Sequence, residues 1–357
     1  MDKKPSLIDA RIDRRRFLLA AGALGVGAVA GASLQSAYKV VKLGRSRQQV
    51  EQTVVRMGTY VTIIAVHESR HAAEQAIGNA IAEMDRHVAV LSRHDGASPL
   101  SILNRDGNLS AAPGELLDVV RHAQWIHNTT RGAFDITVKP VVDLVADTFA
   151  SGGHAPSDAA LADALACVGS DRLEVHGRDL RLAAPGMGVT LDGIAKGFIV
   201  DRVSDSLSRD GVAHHLVNAG GDIRVRGTRA SGKPWRIAIE DPEKKGRYRG
   251  VVELASGAVA TSGNYEIYYD RERVHHHIVD PATGVSPVAA TSVSVVAGSA
   301  MLSDALATAV FVLGPEHGPA VVDTLGGPAC LVIDPRGGQF RSRGWDALTG
   351  GSNARVG

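Results

Sequence analysis

A chain of 357 residues with 44% hydrophobic content is long enough to bury a sizeable core. Its 39 basic and 38 acidic residues nearly cancel, which excludes the strongly basic surface of a nucleic-acid-binding protein. The only cysteines, Cys167 and Cys330, have no CxxC spacing; a disulfide framework is excluded and two buried apolar thiols are expected.

At the N-terminus, Arg14-Arg15-Arg16-Phe17-Leu18 runs into "LAAGALGVGAVAGA", which is too short and too rich in Gly and Ala for a secure membrane span. Arginines, then Phe-Leu, then a weakly apolar run match a twin-arginine export signal. Residues 1–32 are therefore expected to address the twin-arginine machinery, with Ala30-Gly31-Ala32 as the cleavage site or with the segment kept as an anchor. The expected destination is the periplasm. Polar residues 33–53 read as a linker, 54–349 as one domain unit and 350–357 as a tail.

"MGTYVTIIAV" (Met57 to Val66) has strand character. His71 to Leu91 and Gly114 to Thr130 carry helical periodicity, and a further helix is expected from Ser157 to Cys167. "RLEVHGRDLRLAA" reads as a hairpin about "GRD". Gly193 to Gly211 reads as a helix, followed by strands at "HHLVNAGGDIRVRG", at "PWRIAIEDP" and near 251–261, 264–279 and 291–297. "LSDALATAVFVLG" (Leu302 to Gly314) is an amphipathic helix closed by Gly314 with Pro315 beyond, and "PACLVIDPRG" supplies a last strand. Few long helices among many hairpins predict an α+β fold of antiparallel β-sheets with packed helices.

Five stretches carry candidate chemistry. In "GAFDITVKPVVDL" a ring, Phe134, stands beside Asp135 and suits a nucleobase or flavin; a turn capped by Asp135 is the plainer reading, and Pro140 is expected to end any strand. The glycines of "VNAGGDIRVRG" let backbone N–H groups approach an anion, or simply make a tight turn. Lys196 of "TLDGIAKGF" lies near a helix start, where ammonium and dipole both favour a phosphate, or faces solvent. In "VHHHIVDPATG" only His275 and His277 share a strand face, so one proton-relaying histidine fits better than zinc. Asp304 and Thr308 are four apart on one helix face among apolar residues; they could pair locally or offer hard oxygen ligands to Mg²⁺.

Taken in order, "GAFDITVKPVV", "GIAKGFIVDRV", "NAGGDIRVRG", "ATSGNYEIYY", "HHIVDPATG" and "SDALATAVFVLG" resemble the FAD:protein FMN transferases, the ApbE family, over about residues 54–345. The resemblance implies an ApbE-like fold and a Mg²⁺-dependent reaction on FAD that moves FMN through its phosphate onto a Thr or Ser hydroxyl of a target protein, releasing AMP. It also implies that Asp304, Thr308 and the Gly193 carbonyl hold the metal. Met57, Ala133, Phe134, Asp135, Lys196 and Ile278 would lie along FAD, and His277 would take the acceptor proton.

One departure stands out. Where the family has Asp-Leu and two small residues before "IAKG", this chain has Thr190-Leu191-Asp192-Gly193. Either Asp192 replaces the missing carboxylate or that FAD contact is absent. The same pattern resembles the NosX-type exported accessory proteins of nitrous-oxide respiration, which implies an acceptor flavoprotein at the membrane. A FAD-binding carrier without transferase activity is the alternative that Thr190 keeps open, and a FAD hydrolase is a third.

Overall fold

The computed structural model describes residues 39–349 apart from 44–46, 244–245, 266 and 273. The expected signal segment and tail lie outside the described residues. The chain opens with β1 (Lys39–Leu43), β2 (Arg47–Arg56) and β3 (Thr59–His67), then α1 (Arg70–Leu91) and α2 (Pro99–Asp106). Next come β4 (Asn108–Leu109), α3 (Gly114–Thr129), α4 (Lys139–Gly152), α5 (Asp158–Leu165) and the hairpin of β5 (Leu173–His176) and β6 (Asp179–Leu182). After α6 (Ala195–Arg209) follow β7 (His214–Ala219), β8 (Asp222–Arg226), β9 (Trp235–Glu240), β10 (Tyr248–Leu254), β11 (Ser256–Gly263) and β12 (Ser292–Ala297). The fold ends with α7 (Ala300–Thr324), β13 (Ala329–Ile333), β14 (Gln339–Arg341) and α8 (Trp345–Leu348).

Nine strands form one sheet in the order β1-β2-β3-β7-β8-β11-β12-β13-β14, and every neighbouring pair is antiparallel. Successive side chains on a strand face opposite ways, so the sheet is covered on both sides. On one face Val61, Ile63, Val293, Val295 and Val332 share a core with Ile77, Phe198 and Leu306 of the helices. On the other, Val225, Val296, Leu331 and Ile333 pack on Trp235, Ile237 and Val252 of the β9–β10 hairpin and on Trp345. β12 and β13 are buried along their whole length for this reason. The result is the expected α+β architecture.

Four local expectations change. The stretch read as a linker contributes β1 and most of β2, because Val50 is fully buried and β2 pairs with β3 from Gln48 to Arg56. Pro140 opens α4 rather than ending a strand; in the first helical turn its missing N–H is no loss. Residues 264–279 are mostly irregular, with one isolated bridge between Tyr268 and His276. Gly314 kinks α7 (φ 70°, ψ −176°) without ending it, and helix resumes through Pro315 and Pro319. Both cysteines are free; Cys330 is buried and Cys167 is half-buried.

Candidate functional site

The site starts where α6 crosses α7. The Gly197 amide donates to the Asp304 carboxylate (Oδ2, 3.0 Å), which is 5% exposed. One turn further along α7, Thr308 Oγ1 stands 3.4 Å from Ser262 Oγ on β11. A Cβ placed on Gly193 would come within 2.9 Å of Thr308 Oγ1 and 3.3 Å of the Phe134 ring, so the Gly193 backbone lies directly against both. Lys196 extends from the first turn of α6 to Asp222 on β8, Nζ to Oδ2 at 3.0 Å.

Electrostatics mark the centre of this cluster. Burial pushes the Asp304 carboxyl up to about 8, and the nearby Asp222 carboxylate adds to the effect; Lys196 and the Gly197 amide act the other way. Two buried carboxylates, two hydroxyls and a close backbone face one ammonium. That is a hard-oxygen set short of positive charge, and it fits a divalent cation of the Mg²⁺ kind. Among the described residues no three His, Cys, Asp or Glu side chains come together in one group.

A cavity of about 460 Å³ runs along the cluster, and every residue given a role by the family resemblance except Met57 lines it, with Thr190 and Asp192 beside them. Phe134 is held there by its own turn: its amide donates to Thr130 Oγ1, and its carbonyl lies 3.0 Å from His127 Nδ1. The Asp135 carboxylate is engaged within the protein. It accepts from the Thr137 amide (2.7 Å), the Thr137 hydroxyl (2.6 Å) and the Ser170 amide (3.1 Å), capping a single 3₁₀ turn. Both sequence readings of this stretch are thus present together: ring at the cavity, Asp as cap.

Thr190 is buried at the cavity wall, with its amide bonded to the Ile136 carbonyl and its hydroxyl accepting from the Asp192 amide at 3.4 Å. The Asp192 side chain is 58% exposed and pairs with Arg93 (3.0 Å), which also bonds Asp143 (2.8 Å). His277 and Ile278 follow from the irregular 264–279 stretch; the His277 ring is 3.5 Å from the Ile267 carbonyl through Nδ1. Met57 is the exception. It sits at φ 52° in the two-residue turn between β2 and β3 and packs on the main core instead.

Sequence reasoning missed Asp222, Ser262 and Arg93. Asp222 and Ser262 stood in quoted motifs, Asp222 directly after the paired glycines and Ser262 in "ATSGNYEIYY". Only tertiary packing brings Asp222 to Lys196, Ser262 to Thr308 and Arg93 to Asp192. A larger cavity of about 880 Å³ shares Ala133, Asp135 and Pro281 with the first, but it contains none of Asp304, Lys196 and His277.

A nine-stranded antiparallel sheet with a buried Asp304, a half-buried Thr308, a lysine and a histidine on one cavity defines an α+β enzyme. The chain belongs to the ApbE family, whose family model matches residues 57–332. It is 33% identical to the FAD:protein FMN transferase of Vibrio cholerae over 298 residues, 80% of this chain and 88% of that one. It is 31% identical to the Klebsiella pneumoniae protein of the same name over 293 residues, 78% of this chain and 82% of that one. Among solved structures, the flavin transferase ApbE from Vibrio cholerae matches with a TM-score of 0.73 at 29% identity, covering 85% of this chain and 99% of that one. The apo flavinyl transferase ApbE of Pseudomonas stutzeri matches with a TM-score of 0.75 at 29% identity, covering 87% and 99%.

Proposed function

We propose that this protein is a Mg²⁺-dependent FAD:protein FMN transferase that attaches FMN through a phosphoester to a Thr or Ser hydroxyl of a flavoprotein and releases AMP. The observation that carries the reading is the convergence of segments 133–136, 190–196, 261–263, 277–281 and 304–308 on one cavity around Asp304. Phosphoryl transfer asks a protein mainly for positioning and charge neutralisation. Asp304, Thr308 and the Gly193 carbonyl would hold the cation, which supplies Lewis-acid stabilisation of charge on the pyrophosphate. Lys196, oriented by Asp222, offers a second positive charge to phosphate oxygens. Phe134 and Ile278 provide apolar walls for a flat ring. His277 takes the proton from the attacking hydroxyl.

The departure at Thr190 bears on substrate contact rather than on this machinery. A threonine presents a hydroxyl where the family has a carboxylate, and Asp192 already has Arg93 as a partner. That observation supports the alternative of a FAD carrier without transfer. The twin-arginine pattern at residues 14–18 supports export to the periplasm, and with Thr190 it supports an acceptor at the membrane within nitrous-oxide respiration.

The deciding experiment mixes the protein with FAD, Mg²⁺ and a domain bearing the acceptor Thr, and weighs that domain by mass spectrometry. A gain of one FMN, lost with EDTA, establishes the transferase. Tight FAD binding with no gain establishes the carrier, and free FMN without acceptor establishes a hydrolase.

A further inference from the structure

The geometry points to Asp201 as the positioning residue of the cation site: it fixes where α7 starts and thereby where Asp304 stands. The first amides of a helix have no partner within it, and α7 begins in the core, with Ala300 fully buried. Ser299 satisfies the Leu302 amide as the N-cap. The Ala300 and Met301 amides instead donate to the two oxygens of Asp201, Oδ1 and Oδ2, each at 2.9 Å. A carboxylate from a neighbouring helix therefore completes this cap.

Asp201 lies four residues after Gly197 on α6, so the two share one face. That face grips α7 twice. Gly197 donates to Asp304, and one turn earlier Asp201 accepts from residues 300 and 301. Each helix thus gives a carboxylate to backbone amides in the first turn of the other. Arg224 on β8 locks the arrangement from the sheet: its guanidinium bonds the Gly298 carbonyl, and its Nε lies 3.6 Å from Asp201 Oδ1. Both side chains are about 10% exposed, so little solvent screens them. Sliding α7 along its axis would break both grips at once. Asp201 touches neither the cavity nor its contents, so its effect reaches the site only through α7.

This inference rests on the cation reading of Asp304, Thr308 and Gly193, and the test separates the two. Mg²⁺ binding to the full chain is titrated calorimetrically, with Mn²⁺ followed by electron paramagnetic resonance, for wild type, Asp201→Asn and Arg224→Gln. FAD binding without metal and thermal midpoints are measured alongside. Asp201→Asn keeps the shape but turns a donor towards an amide that itself donates. Its cation dissociation constant should rise roughly tenfold or more, the scale seen when groups that orient metal ligands are lost, while metal-free FAD affinity stays within about twofold. Arg224→Gln should shift it the same way by less. Val252→Ala, a core truncation beneath the opposite face of the sheet, supplies a comparable loss of midpoint and should leave cation affinity unchanged. Unchanged cation affinity in Asp201→Asn overturns the inference, as does a loss matched by Val252→Ala. Absence of any cation binding by wild type overturns the cation reading itself and this inference with it.

Discussion

The amide of Gly197 and the carboxylate of Asp304, 107 positions apart in the chain, meet at 3.0 Å because α6 and α7 touch backbone to backbone there. A Cβ at position 197 would fall inside the Ala300 carbonyl and 2.8 Å from Asp304 Cβ. Glycine at 197 is therefore a packing requirement, and the same close approach gives the carboxylate its hydrogen bond.

Gly197→Ala should accordingly spread the two helices. Overpacking at such a contact costs about 1–3 kcal/mol, and the separation also lengthens the Asp304 bond. Chemical denaturation should show that loss, and FMN transfer should fall with it. A variant of undiminished stability and activity would contradict the backbone contact.

Asp304→Asn separates stability from activity. The carboxyl is raised by burial, so in the metal-free protein its ionised form opposes folding. A group raised in the folded state favours folding below its unfolded value, and that advantage is lost as pH climbs through about 8. In EDTA at pH 8 the amide variant should unfold at the same or a higher temperature than wild type. Transfer should fall about 10²–10³-fold, the scale for losing one preorganised electrostatic contact. Equal protection of both proteins by Mg²⁺ would remove Asp304 from the cation site.

His277→Gln tests the proton acceptor. Loss of a positioned general base typically costs about 10²–10⁴-fold in rate. FAD affinity should change little, since Phe134, Ile278 and Lys196 remain. Single-turnover measurement of FMN transfer against fluorescence titration of FAD separates the two, and parallel losses in both would make His277 a binding residue.

The acid limb of stability should report His215. Burial drives this histidine down to about 4, and it sits with Nδ1 on the Val212 carbonyl and Nε2 2.7 Å from the Ser204 hydroxyl. A depressed histidine favours folding fully above its unfolded value near 6.5, and that contribution shrinks as pH falls towards 4, by about 3 kcal/mol at most. Denaturant unfolding between pH 4 and 7.5 should show this slope in wild type and a flatter one in His215→Gln. Parallel profiles would mean another group carries the acid sensitivity.

How far the sequence reached depends on the range of the forces involved. α1, α3, α6 and the β5–β6 hairpin were readable because helical periodicity and turn residues act over a few positions. Pro140 misled because proline stops one helix and starts another equally well. β1 and most of β2 read as a linker because β1 is the edge strand and β2 buries only Val50 and Gln52, which leaves little apolar alternation. The 264–279 stretch has β-branched and aromatic residues, yet its described residues form one bridge, Tyr268 to His276, and are irregular around His277.

By itself the sequence determined the residue types of the site and the local frames that carry them: a carboxylate and hydroxyl four apart on one helix, a lysine at the start of another, a ring after a glycine turn. Those follow from backbone geometry within single elements. Only the tertiary structure decided which of them meet. It set Asp222 opposite Lys196, Ser262 beside Thr308 and Asp201 at the head of α7, and it left Met57 half-buried against the core from the β2–β3 turn. Those contacts join positions far apart in the chain, and sheet pairing with helix packing fixes them, which no local pattern encodes.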